Sequence, residues 1–205
     1  MLTTPSASGA LHAYYKARGD RFSESAERCG WLSSFTQSLR FQALTAGWDL
    51  SSASVLDVGC GCADLLFFLE TDYTSIQYTG LDCLSDFIVE SQTRYPHALF
   101  IETDFFAYEA TPLSYDYVVA VGPFNHLLED NYATLRMAMV KLFSLAKVGV
   151  AISLLSDLSP KELRRAEELF YYDPQRVLAM ALELTPFVEL KTQYLPNDMA
   201  MILYR

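Results

Sequence analysis

The sequence predicts an α/β fold: a mostly parallel sheet, covered by helices on both faces and ending in an antiparallel strand. Three observations carry this. From Ser54 onward, five short apolar runs alternate with amphipathic stretches, the rhythm of strand-helix units whose sheet is buried on both sides. The first run ends in a turn bearing Gly59 and Gly61, at the strand end where open α/β sheets receive ligands. The last two strand-like runs, Phe187 to Leu195 and Met199 to Tyr204, are joined by only Pro196, Asn197 and Asp198. A link that short makes a hairpin and cannot make a crossover.

Taken in order, residues 1–50 read as helix in pieces. Phe35, Leu39, Gln42 and Leu44 form a pattern that caps the sheet or closes over a site, and Tyr14, Tyr15 and Trp31 before it supply aromatic surface without an assigned use. The core is residues 51–205. Its strand candidates are Ser54 to Gly59, Tyr78 to Asp82, Leu99 to Thr103, Tyr117 to Val121 and Val148 to Leu154. Helical patterns cover Asp64 to Glu70, Ser85 to Tyr95 and Asn131 to Ala146, the last with Leu135, Met139, Leu142 and Phe143 on one face.

A chain of 205 residues, 51% apolar, buries one sizeable core, and a single domain is expected. No apolar run approaches the roughly 18 residues that cross a bilayer. Met1 to Ala10 lacks the basic start and apolar block of a secretory signal, so a cytoplasmic location is expected. Cys29, Cys60, Cys62 and Cys83 then read as reduced thiols, and without a second cysteine or histidine pair at ligand spacing no metal site is expected. The formal charge of −10 opposes binding to phosphate backbones. The densest basic cluster, Lys161, Arg164 and Arg165, is interleaved with Glu162, Glu167 and Glu168 and reads as a solvated helix face with internal ion pairs.

Chemistry concentrates in Val55-Leu56-Asp57-Val58-Gly59-Cys60-Gly61-Cys62-Ala63-Asp64. This segment ends a strand, turns on residues without Cβ and opens a helix. A dinucleotide site places a third glycine at position 64, where a pyrophosphate meets the helix N-terminus. Here Asp64 stands there, and a carboxylate repels phosphate but favours a ligand carrying an ammonium and a sulfonium. Asp57 fits the same sign. Asp82 and Asp104 follow the next two strands and Gly122 the fourth, at intervals of 23, 22 and 18 residues from Gly59 onward. Each interval suits one strand-helix unit, so these four positions converge on one crevice.

Val55 to Ala63 resembles the glycine motif of the class I, Rossmann-like S-adenosylmethionine-dependent methyltransferases. Asp82 resembles their ribose acid, Thr103-Asp104-Phe105 their adenine-edge motif, and the terminal hairpin their reversed last strand. The resemblance runs from about Gln37 to Arg205, with Ala63 where many members carry glycine. Gln37 to Phe41, Tyr171 to Pro174 and Tyr194 to Pro196 look like an uncharacterised bacterial branch. The family implies a seven-stranded sheet in the order 3-2-1-4-5-7-6 within a three-layer sandwich. It also implies S-adenosylmethionine as methyl donor and S-adenosylhomocysteine as product.

On this reading the cofactor-binding residues are Asp57, Gly59, Gly61, Asp82, Cys83, Asp104, Phe105 and Gly122. Arg40 joins them as a fork-shaped cation for the cofactor carboxylate, its plainer alternative being a surface arginine. After the fourth strand the family places residues beside the reactive methyl. There His126 can take a proton from an acceptor, or be an inert histidine of the turn. Asn125 can orient an acceptor or stabilise its own turn, and Phe124 can line the acceptor pocket or pack. Tyr171 and Tyr172 fall in a region that covers the acceptor in the family, or serve as core and rim. His12, His97 and Cys29 receive no role. The acceptor is expected to be a small molecule, with a protein or RNA acceptor, or a non-catalytic binder of the cofactor, as the alternatives.

Overall fold

A computed structural model describes residues 5–164 and 166–205. Three helices come first: α1 (Pro5–Arg21), α2 (Ser25–Arg28) and α3 (Ser34–Thr45). The alternating part follows as β1 (Ser54–Val58), α4 (Asp64–Leu69), β2 (Gln77–Asp82), α5 (Ser85–Arg94), β3 (Leu99–Glu102) and β4 (Tyr115–Val121). It continues with α6 (Asn131–Leu145), β5 (Ala146–Leu155), α7 (Pro174–Leu182), β6 (Val188–Lys191) and β7 (Asp198–Tyr204).

The strands form one seven-stranded sheet in the order β3-β2-β1-β4-β5-β7-β6. β1 to β5 pair in parallel, whereas β7 is antiparallel to both β5 and β6. The period of two along each strand sorts the core into two layers. Leu56, Val58, Val118, Ala120, Val150 and Ile152 face α6 and α7, with Leu135, Met139, Leu142 and Val177 packed on them. Val55, Val119, Val121, Ala151 and Ile202 face the other way, onto Phe41, Leu44, Leu65 and Leu66 of α3 and α4. Because neighbours flank β1 on both sides while the chain turns back after β3, the strand order reverses between β1 and β4. A crevice opens there, at the carboxyl ends of the strands.

Local chemistry starts the helices where they start. The Ser33 and Asp130 side chains accept the amides of Thr36 and Ala133 at the heads of α3 and α6. Asp173 accepts the Gln175 amide at the head of α7, with Pro174 in its first turn. The sequence reading missed α7. It also placed too much in the strand after it: β6 spans only Val188–Lys191, so residues 192–197 link the hairpin and Phe187 stays exposed. The expected basic helix does not form either. Only Lys161–Leu163 make a helical turn, and Arg164 continues in extended backbone, donating to the Asp157 carbonyl and lying over the Tyr171 ring. Arg165 lies outside the described residues. Among the described residues no helix is long and apolar enough to cross a membrane.

Candidate active site

The turn after β1 winds through three residues with positive φ: Gly59 at 75°, Gly61 at 53° and Ala63 at 60°. Its start is tied to β2, because the amides of Gly59 and Cys60 both donate to the Leu81 carbonyl. Neighbours crowd it closely. A Cβ on Gly59 would stand 2.7 Å from Pro123, and one on Gly61 would stand 2.7 Å from the Cys29 sulfur. Ala63 adopts a left-handed backbone, a conformation that favours glycine.

Each following strand end adds a carboxylate held by amides. Asp82 accepts the Gly61 amide and the Leu84 amide, both at 2.9 Å, and its burial pushes its pKa up while those amides pull it down. Asp104 accepts the Phe106 amide at 2.7 Å. Beneath it, Lys141 donates to the carbonyls of Phe105, Phe106 and Tyr108, fixing the course of that loop. At the end of β4, Gly122 turns at φ +80°, with the Trp31 indole over the place a Cβ would take.

The N-terminal helices close this crevice. Asp64 accepts Ser25 at 2.7 Å and Gln37 at 3.1 Å, with Arg94 3.4 Å away, so the acid at the head of α4 anchors α2 and α3. Arg40 is buried and donates through Nε and Nη2 to Asp198 on β7, with Trp31 stacked 4.4 Å from its guanidinium. Tyr14 and Tyr15 of α1 lean edge-on against His126, and the Tyr15 hydroxyl lies 3.1 Å from its Nε2.

Together these elements bound a cavity of about 810 Å³. Of the expected site residues, Arg40, Asp57, Gly59, Gly61, Asp82, Cys83, Asp104, Phe105, Gly122, Phe124, Asn125, His126 and Tyr171 all line it. Tyr172 does not. It is 1% exposed, donates its hydroxyl to the Phe124 carbonyl at 2.7 Å and packs among core residues, so its place is structural. Two other side chains reach the wall already engaged. Asn125 accepts the Leu155 amide at 2.9 Å, fastening the loop after β4 to the end of β5, and Arg40 has its charge taken up by Asp198. Tyr14, Tyr15, Trp31, Cys29 and His12, to which sequence reasoning gave no part in the site, line the cavity as well.

Comparison with known proteins agrees with this architecture. Residues 55–149 match the family model described as a methyltransferase domain. The matched segment reads as a methyltransferase domain, set in a class I, Rossmann-like fold. Among solved structures it is similar to an S-adenosylmethionine-dependent methyltransferase from Archaeoglobus fulgidus, at 15% identity and a TM-score of 0.67 over 88% of this chain and 97% of that one. It is also similar to DhpI in complex with S-adenosylhomocysteine, at 15% identity and a TM-score of 0.70 over 99% and 98% of the two chains. A third is magnesium protoporphyrin IX methyltransferase from Synechocystis with bound S-adenosylhomocysteine, at 15% identity and a TM-score of 0.64 over 97% and 95%. No curated protein sequence matches.

The methyltransferase cavity suits a cofactor with excess positive charge. Asp57 is 2% exposed. One of its oxygens accepts the Tyr78 hydroxyl, while Oδ1 is buried without a hydrogen-bond partner. Burial pushes its pKa up to about 7, with Asp82 and Asp64 adding to the rise. An unpartnered buried carboxylate oxygen is costly unless a donor reaches it, and an ammonium supplies one. Asp64, Asp82 and Asp104 line the same space, and Arg40, the one described arginine or lysine lining it, is already paired.

Proposed function

We propose that this methyltransferase domain transfers a methyl group from S-adenosylmethionine to a small-molecule acceptor. The observation that carries the reading is the convergence of Asp57, Asp82 and Asp104 on one cavity that α1 covers with Leu11, Tyr14 and Tyr15. When bound, the sulfonium supplies an activated methyl group. Asp57 holds the ammonium of the methionyl part, Asp82 accepts the ribose hydroxyls, and Asp104 with the Phe105 backbone addresses the adenine edge. Gly59, Gly61 and Gly122 leave room for close backbone approach, and Cys83 borders the ribose. Arg40 acts on the methionyl carboxylate only through its N–H groups not engaged with Asp198.

The acceptor lies beyond, against Phe124, Tyr171 and His126. The cover that α1 makes over a cavity of this size supports a small molecule as the acceptor. His126 serves as general base. Burial lowers its pKa below the ordinary histidine value, against a smaller opposing effect of Glu168, so the imidazole is neutral at pH 7 and free to take a proton. Positioning acceptor and donor together accounts for most of the rate, since well-oriented intramolecular reactions gain roughly 7 to 11 kcal/mol. We read the chain as one cytoplasmic domain, a helical cap on residues 1–50 and a core on 51–205. Incubating the protein with methyl-labelled S-adenosylmethionine and a fractionated extract tests the reading. Label should move to a low-molecular-weight fraction; label appearing only in protein or RNA, or nowhere, rejects it.

A further inference from the structure

Two aromatic residues of α1 meet the candidate base, and one does so through its hydroxyl. Tyr15 and His126 are 111 positions apart in sequence, yet their polar atoms stand 3.1 Å apart inside the cavity. The Tyr15 ring is held by edge contacts with Tyr14 at 5.0 Å and Phe87 at 5.7 Å. His126 is fixed from its backbone: its carbonyl accepts Asn131 at 2.7 Å, and its segment bridges to Leu169.

The direction of this hydrogen bond follows from the two groups. A phenol O–H is a better donor than a neutral imidazole N–H, and an imidazole nitrogen is a better acceptor than a phenol oxygen. Burial and the neighbouring Cys29, Asp82, Tyr14 and Cys83 hold the Tyr15 hydroxyl protonated. Tyr14 and Tyr15 of α1 and Glu168 of the segment after β5 face His126, and burial outweighs Glu168 in keeping its ring neutral. Tyr15 is therefore the donor and Nε2 the acceptor, which leaves the ring proton on Nδ1. In this arrangement the basic nitrogen is covered by the tyrosine.

We infer that Tyr15 is a catalytic residue that relays the acceptor's proton to His126. This rests on the reading of His126 as general base. The acceptor's X–H bond breaks toward the Tyr15 oxygen while the Tyr15 O–H bond breaks toward Nε2, giving a neutral phenol and an imidazolium. The electron pair left on X takes the methyl group, and the imidazolium later returns its proton to water. The acceptor is accordingly a neutral O–H or N–H compound. Only a chain with α1 seated has a complete base.

Nitrogen-15 labelling of the three histidines in the full chain loaded with S-adenosylhomocysteine tests this without an acceptor, using His126→Gln to assign the signals. We expect the Nδ1–H tautomer for His126 in the wild type. In Tyr15→Phe, which keeps the ring packing, the tautomer should become mixed and the titration of His126 should move. An Nε2–H tautomer in the wild type, or a His126 spectrum that Tyr15→Phe leaves unchanged, overturns the relay. The wild-type measurement stands alone if the variant does not fold. In the labelled-methyl assay Tyr15→Phe should lose ~10²–10⁴-fold, as His126→Ala does. If His126→Ala is inactive and Tyr15→Phe fully active, the relay alone fails; if both keep full activity, the reading of His126 fails with it.

Discussion

Asp82 accepts the backbone amide of Gly61 at 2.9 Å, so the acid that ends β2 and the loop that ends β1 are held as one piece. A second bond, from the Leu84 amide, fixes the other oxygen. The carboxylate is thus set in place before any ligand arrives, which is what a bidentate contact to a ribose requires. Replacing it with alanine should weaken S-adenosylhomocysteine binding by about 1.5 to 3 kcal/mol, the value of a charge-assisted hydrogen bond. Isothermal calorimetry measures this directly, and unchanged affinity would remove Asp82 from the ribose.

Asp57 makes a pH prediction of definite sign. Its pKa is pushed up to about 7 by burial, whereas an unfolded chain gives aspartate ~3.9. Between those values the folded state holds the extra proton, so stability falls as pH rises through the window and levels off above it. The full effect is on the order of a few kcal/mol. Asp57→Asn carries no such penalty, so its stability relative to the wild type should climb from about pH 4 to pH 7 in urea titrations. Ligand binding should show the reverse trend: an ammonium beside Oδ1 favours the carboxylate, and wild-type affinity for S-adenosylhomocysteine should tighten toward pH 7. A parallel rise in Asp57→Asn would place the ammonium elsewhere.

Gly122 has no room for a side chain. Its φ is +80°, and an added Cβ would stand 2.6 Å from the Trp31 ring and 3.1 Å from the Asn125 amide. Gly122→Ala should cost about 1 to 3 kcal/mol of stability through overpacking and backbone strain. It should also loosen the cap, because Trp31 stacks on the Arg40 that ties α3 to β7. Gly19→Ala on α1, where nothing lies within 4 Å of the added atom, is the control and should be neutral or slightly stabilising. Equal unfolding midpoints for the two variants would show that the indole yields freely.

The sheet and the residues at its strand ends that line the cavity were legible because their signals are local. A strand followed within ten residues by its own glycine turn or acid can be read without knowing the partners, and Gly59, Asp82, Asp104 and Gly122 all reach the cavity. α7 carried equally local signals, the Asp173-Pro174 start and the buried Val177, Met180 and Ala181, but the aromatic pair before it drew the reading toward an acceptor cover. Tyr172 turned inward because its hydroxyl satisfies the Phe124 carbonyl in the core. Arg40 and Asp198 are 158 positions apart. No spacing rule reveals such a pair, nor the one between Tyr15 and His126. The cap was therefore the least legible part: its side chains acquire meaning only from strands that come much later in the chain.

His126 carries the last prediction. The loop after β4 holds it against the cavity by the Asn131 bond to its carbonyl and by the Asn125 bond to β5. Burial lowers its pKa below the ordinary histidine value, so protonation, which would disable a base, is confined to more acidic solution. Turnover should rise with pH through a midpoint below ~6.5 and then hold level. His126→Ala should cut turnover by ~10²–10⁴-fold while leaving S-adenosylhomocysteine affinity intact, because the imidazole meets Tyr15 and not Asp57, Asp82 or Asp104. His126→Gln separates the two remaining roles. A glutamine can orient an acceptor but cannot take its proton at neutral pH, so it should stay as inactive as alanine. Recovery of most of the activity in His126→Gln would mean that the acceptor arrives already deprotonated and that the histidine only orients it.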